Sequence, residues 1–204
     1  MQSQNKRVYF GNYAFFVDEN VYEPAEDSFF FAENLAVETG AQVLEIGTGC
    51  GLLSVVAARE AGIVVASDVN PHAVRCAMAN ATLNKVHSKI AFLQGDLFNP
   101  LSETSKFDLI IFNSPYLPVD ESEANSWLSR AWAGGPTGRK IIDRFILEAP
   151  KYLKQSGRIL LMQSTLTGVD ETIERFSERC LHARVVSERA LPFFETIVLI
   201  EAKV

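Results

Sequence analysis

The stretch VLEIGTGCGLLS (Val43–Ser54) decides the fold. An apolar run carries Glu45 near its end. Gly47, Gly49 and Gly51 follow, and then come helix-forming residues. Glycines in this position permit positive φ and let backbone approach a ligand closely. Open α/β sheets bind ligands at the carboxyl ends of their strands, where such a loop would lie. The spacing separates two kinds of nucleotide loop. Dinucleotide binders use GxGxxG to seat a pyrophosphate on a helix N-terminus. Here the pattern is ExGxGxG, with Leu52 where the third dinucleotide glycine would stand. No Gly-Lys-Ser/Thr follows, so it is not a Walker loop. A carboxylate at Glu45 repels a pyrophosphate but suits a cationic, methionine-type cofactor. A strand-turn-helix with merely structural glycines remains the other reading of these residues alone.

Working outward, short β-branched runs alternate with longer amphipathic segments, which predicts α/β with a mostly parallel sheet. Helices are expected at Pro24–Val37, Leu52–Ala61, Pro71–Leu83, Gly138–Leu153 (kinked at Pro150) and Asp170–Cys180. Strands are expected at Gln42–Ile46, Ile63–Ser67, Lys89–Gln94, Leu109–Phe112 and Arg158–Met162. A closing pair is expected at Ala183–Glu188 and Glu195–Glu201, joined through Leu191-Pro192 and including an antiparallel strand. Asn70-Pro71 reads as N-cap and first helical position.

Asp68 stands 17 residues after Gly51. There it fits either of two roles: accepting both ribose hydroxyls of a nucleoside, or capping the Asn70-Pro71 helix. Gly95-Asp96-Leu97 follows the third strand. Asp96 is placed to accept an adenine amino hydrogen, and Leu97 to offer a backbone donor and an apolar contact. In DLIIFNSPYLP (Asp108–Pro118) a buried strand delivers Asn113-Ser114-Pro115-Tyr116 to the same sheet edge. Asn supplies a donor and an acceptor in one plane. A planar nitrogen can donate to the Asn113 side-chain oxygen and to the Ser114 carbonyl, with Tyr116 stacking on the planar group.

Composition bounds the rest. The 204 residues are 48% hydrophobic and 22% charged, enough for one domain over residues 1–204 with a proper core. No apolar run is long enough to span a bilayer, and Met1–Arg7 lacks a signal-peptide core. The expected address is cytoplasmic, with no membrane partner. A net charge of −6 argues against a bare nucleic-acid partner. Cys50, Cys76 and Cys180 are scattered and read as small buried thiols. His72, His87 and His182 show no ligand spacing, so no metal site is expected. Arg139, Lys140 and Arg144 read as either a contact patch or a solvated helix face, the solvated face being the default.

Together, Glu45–Gly51, Asp68, Asp96 and Asn113–Tyr116 resemble the class I S-adenosylmethionine-dependent methyltransferases with an Asn-Pro-Pro-Tyr motif. VYEPAEDSFFF (Val21–Phe31) and WAGGPTGRKIIDRF (Trp132–Phe145) narrow the resemblance. They are similar to the HemK-like release-factor glutamine N5-methyltransferases, in their single-domain archaeal and eukaryotic branch. The resemblance implies a Rossmann-like fold: a seven-stranded, mostly parallel sheet with an antiparallel C-terminal strand and helices on both faces. It implies an N-terminal segment, residues 1–37, packed over the cofactor site. The implied activity is methylation of the glutamine in the Gly-Gly-Gln loop of a class I translation termination factor.

Carried over by residue, Ser28 would touch S-adenosylmethionine where the family often has Thr. Glu45 and Gly47, with Gly49 and Gly51, would line the methionine part. Asp68 would take the ribose, and Asp96 with Leu97 the adenine. Asn113 to Tyr116 would hold the glutamine amide, with Asn113 also beside the cofactor. Ser114 departs from the family proline, losing a fixed φ but keeping the accepting carbonyl. A small zinc-containing activator protein is implied on the edge strand at residues 89–94. Three other readings stay in view. They are methylation of an exocyclic amino group of adenine or guanine, of a lysine or small metabolite, and a non-catalytic cofactor-binding scaffold.

Overall fold

The computed structural model describes residues 6–120, 125–192 and 195–204. The chain divides into two compact units, Met1–Pro100 and Leu101–Val204. Its main sheet has seven strands in the order β5-β4-β3-β6-β7-β9-β8, and a separate two-stranded sheet holds β1 and β2.

The first unit opens with a hairpin absent from the sequence reading. β1 (Lys6–Phe10) and β2 (Tyr13–Val17) pair antiparallel, with Phe10 opposite Tyr13, so Gly11-Asn12 is a two-residue turn. α1 spans Glu26–Glu33 and stops short of Val37. The Asn34 side chain takes the Phe30 carbonyl at 2.8 Å and so competes with helix propagation. β3 (Gln42–Ile46), β4 (Ile63–Asp68) and β5 (Ile90–Gln94) form parallel pairs in register, Glu45 opposite Ala66 and Asp68 opposite Gln94. Val43, Leu44, Val64 and Ala66 are buried, as continuous apolar runs in a parallel sheet should be.

α2 (Leu52–Ala57) is shorter than expected. Its end is fixed by Lys89, whose ammonium donates to the Ala58 carbonyl at 2.9 Å and the Ala61 carbonyl at 3.1 Å. Lys89 itself sits in a 3₁₀ turn just before β5 rather than in the strand. α3 (Pro71–Leu83) begins as its sequence dictates: the Asn70 side chain accepts from His72 N–H at 2.9 Å, and Pro71 occupies the first turn.

In the second unit, β6 (Phe107–Asn113) pairs parallel with β7 (Leu153–Ser164). The expected start of the latter at Arg158 marks where the regular ladder begins; Leu153 pairs once with Phe107 before an irregularity. α4 (Trp127–Arg130) is an addition to the expected helices and opens with a Ser126–Ser129 capping box. α5 runs only Lys140–Glu148, and Ala149–Tyr152 is a 3₁₀ turn. Pro150 ends the helix rather than kinking it, since proline has no N–H to donate and crowds the preceding turn. α6 (Val169–Ser177) precedes β8 (His182–Ala190), and β9 (Thr196–Lys203) pairs antiparallel with both β7 and β8. Residues 193–194 of the β8–β9 connection lie outside the described residues, as do residues 1–5 of the N-terminal segment. No helix among the described residues is long and apolar enough to cross a membrane.

Candidate active site

All the cofactor residues named from sequence except Asn113 lie in the first unit. β3 ends at Ile46 and the chain turns through Gly47, Gly49 and Gly51, with φ of +69°, +57° and +87°. Gly51 needs to be glycine twice over: a left-handed φ, and an added Cβ would lie 3.0 Å from the Ala77 backbone of α3. Asp68, at the end of β4, spans this loop and its own turn. One carboxylate oxygen accepts Gly49 N–H at 2.9 Å, and the other accepts Asn70 N–H at 2.8 Å. Asn70 caps the helix, and Asp68 fixes the glycine loop while remaining half-exposed. Gly95 N–H donates to the Asp68 carbonyl at 3.0 Å, which brings Asp96 alongside. Leu97 is buried with a left-handed φ of +48°, a strained backbone for a residue with a Cβ.

Glu45 is only 2% exposed. Its Oε2 accepts from Thr48 Oγ1 at 2.7 Å and from Ser54 Oγ. Burial raises its pKa to about 8, opposed by the Ser54 and Thr48 hydroxyls and reinforced by the charge of Asp68. Burial also raises the Asp68 pKa, opposed by the Asn70 and Gly49 N–H groups. Glu45 and Asp68 stand near the carboxyl ends of the adjacent strands β3 and β4, an acceptor-rich setting that suits hydroxyl- and amine-bearing ligand groups better than phosphate. That donor set fits S-adenosylmethionine. Thr48 and Ser54 were missed from sequence; the sole signal was their hydroxyls, at three and nine residues from Glu45. Ser28 sits in α1, buried, with its hydroxyl on Asp27 at 3.2 Å.

The second unit holds the acceptor residues. Asn113 ends β6, half-buried, and Ser114 to Tyr116 continue beyond the strand. Ser114 is 3% exposed, and its Oγ donates to the Met162 carbonyl of β7 at 2.7 Å. This hydrogen bond ties the turn to the neighbouring strand. Tyr116 is buried, and the segment after it is held by Leu117 N–H to Trp132 O and Gly134 N–H to Leu117 O, both 2.9 Å. Gly138 packs under it: a Cβ there would overlap the Tyr116 carbonyl.

Arg139 is a correction to the solvated-face reading. It is 6% exposed, and its guanidinium donates to the carbonyls of Thr167 and Gly168 (2.8 Å to the latter), to Thr172 Oγ1 at 3.0 Å and to Asp143 at 2.8 Å. Lys140 is exposed and Arg144 half-buried. The thiols also differ from expectation: Cys50 is buried, Cys76 half-buried and Cys180 exposed.

Comparison with known proteins places the chain among methyltransferases. The model of the family described as ribosomal protein L11 methyltransferase (PrmA) matches residues 28–114. A Methanocaldococcus jannaschii chain assigned as a putative protein N5-glutamine methyltransferase is 45% identical over 181 residues, covering 88% of this chain and 90% of that one. Human Methyltransferase HEMK2 is 33% identical over 181 residues, covering 83% and 84%. The E. cuniculi Mtq2–Trm112 complex, responsible for methylation of the eRF1 translation termination factor, superposes with a TM-score of 0.67 at 24% identity, covering 90% of this chain and 98% of that one. With such relatives matched along most of its length, the chain belongs to the HemK-like protein glutamine N5-methyltransferases.

Proposed function

We propose that this chain methylates the side-chain nitrogen of a glutamine, in the Gly-Gly-Gln loop of a class I translation termination factor. The observation that carries the reading is the rigid Asn113–Tyr116 turn at the carboxyl end of β6, tied to β7 through Ser114 and backed by Gly138. S-adenosylmethionine, when bound, supplies a methyl group on a positively charged sulfur. The glycine loop with Asp68, Asp96 and Leu97 would hold it; Glu45 would sit by its cationic end, and Ser28 beside it.

The amide nitrogen of glutamine is a poor nucleophile because its lone pair is delocalised. Orientation must therefore supply much of the rate. The Asn113 side-chain oxygen and the Ser114 carbonyl would accept the two amide hydrogens and fix the nitrogen, and Tyr116 would border the amide plane. Held so, the nitrogen would be placed to take up the methyl group the cofactor supplies, with one amide proton lost to solvent. No dedicated strong base is required.

This reading takes residues 1–204 as one catalytic domain acting in the cytoplasm, with the N-terminal segment over the cofactor. It also assigns a small zinc-containing partner to β5, the edge strand of the sheet, by strand addition. The test of function is a labelled methyl-transfer assay. Termination factor, its Gln→Asn loop variant, bulk RNA and bulk DNA are offered in parallel. Label on the wild-type factor alone is expected. Label on nucleic acid alone would replace this reading with exocyclic amine methylation.

A further inference from the structure

Helix α3 buries an asparagine where its neighbours are alanines. Ala73, Ala77 and Ala81 line the buried face, and Asn80 lies among them at 0% exposure. A buried amide is unfavourable unless its donors and acceptor are all used. Here they are. Asn80 Oδ1 accepts Phe16 N–H at 2.9 Å, and Asn80 Nδ2 donates to the Phe16 carbonyl and to the Cys50 carbonyl, both at 2.8 Å.

One turn later Asn84 repeats half of this pattern. Its Oδ1 accepts Ala14 N–H at 3.2 Å and its Nδ2 donates to the Ala14 carbonyl at 2.9 Å. The spacings explain the match. Four residues of helix rise about 6 Å, and two residues of strand advance about 6.8 Å. Residues 14 and 16 present their backbone groups on one edge of β2, and β1 occupies the other edge. Thus α3 acts as a strand toward the hairpin, reading its backbone with two side-chain amides. The Cys76 thiol on the same helix also points to the Phe16 carbonyl, at 3.1 Å. Asn70 Nδ2 adds a bond to the Asn20 carbonyl at 2.8 Å, just past the hairpin.

The two asparagines differ in burial, Asn84 being half-buried, and in their third bond, which Asn84 Nδ2 makes to the Asn80 carbonyl at 2.8 Å. Asn80 alone also holds a carbonyl of the glycine loop, at Cys50 between Gly49 and Gly51. We infer that Asn80 is a positioning residue for the cofactor loop, and that through it the N-terminal hairpin and the loop form one coupled unit. The inference rests on the cofactor reading above. It adds that cofactor affinity depends on a residue that never touches the cofactor, and that cofactor binding is felt in the hairpin.

The test compares Asn80→Ala with Asn84→Ala. Both remove a hairpin clamp, and both should lower the melting temperature. Affinity for S-adenosylhomocysteine, measured by calorimetry, should fall about tenfold or more in Asn80→Ala, as expected for a loop carbonyl left without its buried donor. In Asn84→Ala it should stay within about twofold of wild type. Equal affinities in the two variants would overturn the inference. A wild-type chain that does not bind the nucleoside would instead overturn the cofactor reading.

Hydrogen exchange on the wild-type chain gives a second readout that needs no variant. Adding S-adenosylhomocysteine should slow exchange at Gly51 and also at Ala14 and Phe16. Slowing confined to the loop, with the hairpin amides unchanged, would refute the coupling even if Asn80→Ala fails to fold.

Discussion

Replacing Glu45 with glutamine should flatten the pH dependence of the empty protein's stability. The carboxyl is 2% exposed, and its pKa rises from 4.5 to about 8 on folding. A raised carboxyl pKa means the folded state holds the proton more tightly than the unfolded state. The sign follows from linkage: this group's contribution is full below pH 4.5 and is lost as pH climbs toward 8. Each pH unit in that window costs about 1.4 kcal/mol. The loss is then about 2 kcal/mol at pH 6 and about 4 kcal/mol at pH 8. The side-chain amide of the Glu45→Gln variant keeps an acceptor for Thr48 and Ser54 but cannot ionise. Denaturant unfolding of the two proteins at pH 5, 6, 7 and 8, without cofactor, measures the difference. The wild-type curve should fall away from the variant's as pH rises, equivalent to roughly 8–16 °C in melting temperature at pH 8. Curves that stay parallel within about 1 kcal/mol would show that Glu45 is ionised in the folded state and refute the reasoning.

On the proposed placement of the cofactor, a cationic ligand beside Glu45 would favour its charged form, so calorimetry at pH 7 in buffers of different ionisation enthalpy should show net proton release. Ser114→Pro should keep methyl transfer within about threefold of wild type, because a ring replaces the bond to the Met162 carbonyl. Ser114→Ala has neither and should lower kcat by about tenfold or less, the worth of one hydrogen bond. Gly138→Ala should cost about 1–3 kcal/mol in stability and lower kcat, since its φ is +72° and the new methyl would meet the Tyr116 carbonyl and Thr167.

Much of this molecule was legible in its sequence because local chemistry and tertiary structure agree. The Asn70-Pro71 start of α3 was readable because cap and proline act on their own turn. The parallel strands were readable because burial on both faces demands unbroken apolar runs. What escaped reading depends on distant partners. Lys89 looked like the first residue of a strand, but its ammonium closes α2, 28 to 31 residues earlier. Arg139 looked like a solvated charge until five-donor geometry met the carbonyls of the turn before α6. The hairpin was signalled by Gly11-Asn12 between two apolar runs, a two-residue turn that a reading started at Pro24 passed over. Asn80 carried a fainter mark: a polar residue on the alanine face of an amphipathic helix.

The most direct measurement is tandem mass spectrometry of the Gly-Gly-Gln peptide, after incubating termination factor with cofactor and either wild-type chain or Asn113→Ala. The wild-type chain should leave one methyl on the glutamine nitrogen, and Asn113→Ala should leave none while still binding S-adenosylhomocysteine nearly as tightly. A glutamine that stays unmodified with the wild-type chain, or is methylated equally well by the variant, would contradict the assignment of Asn113 to the acceptor amide.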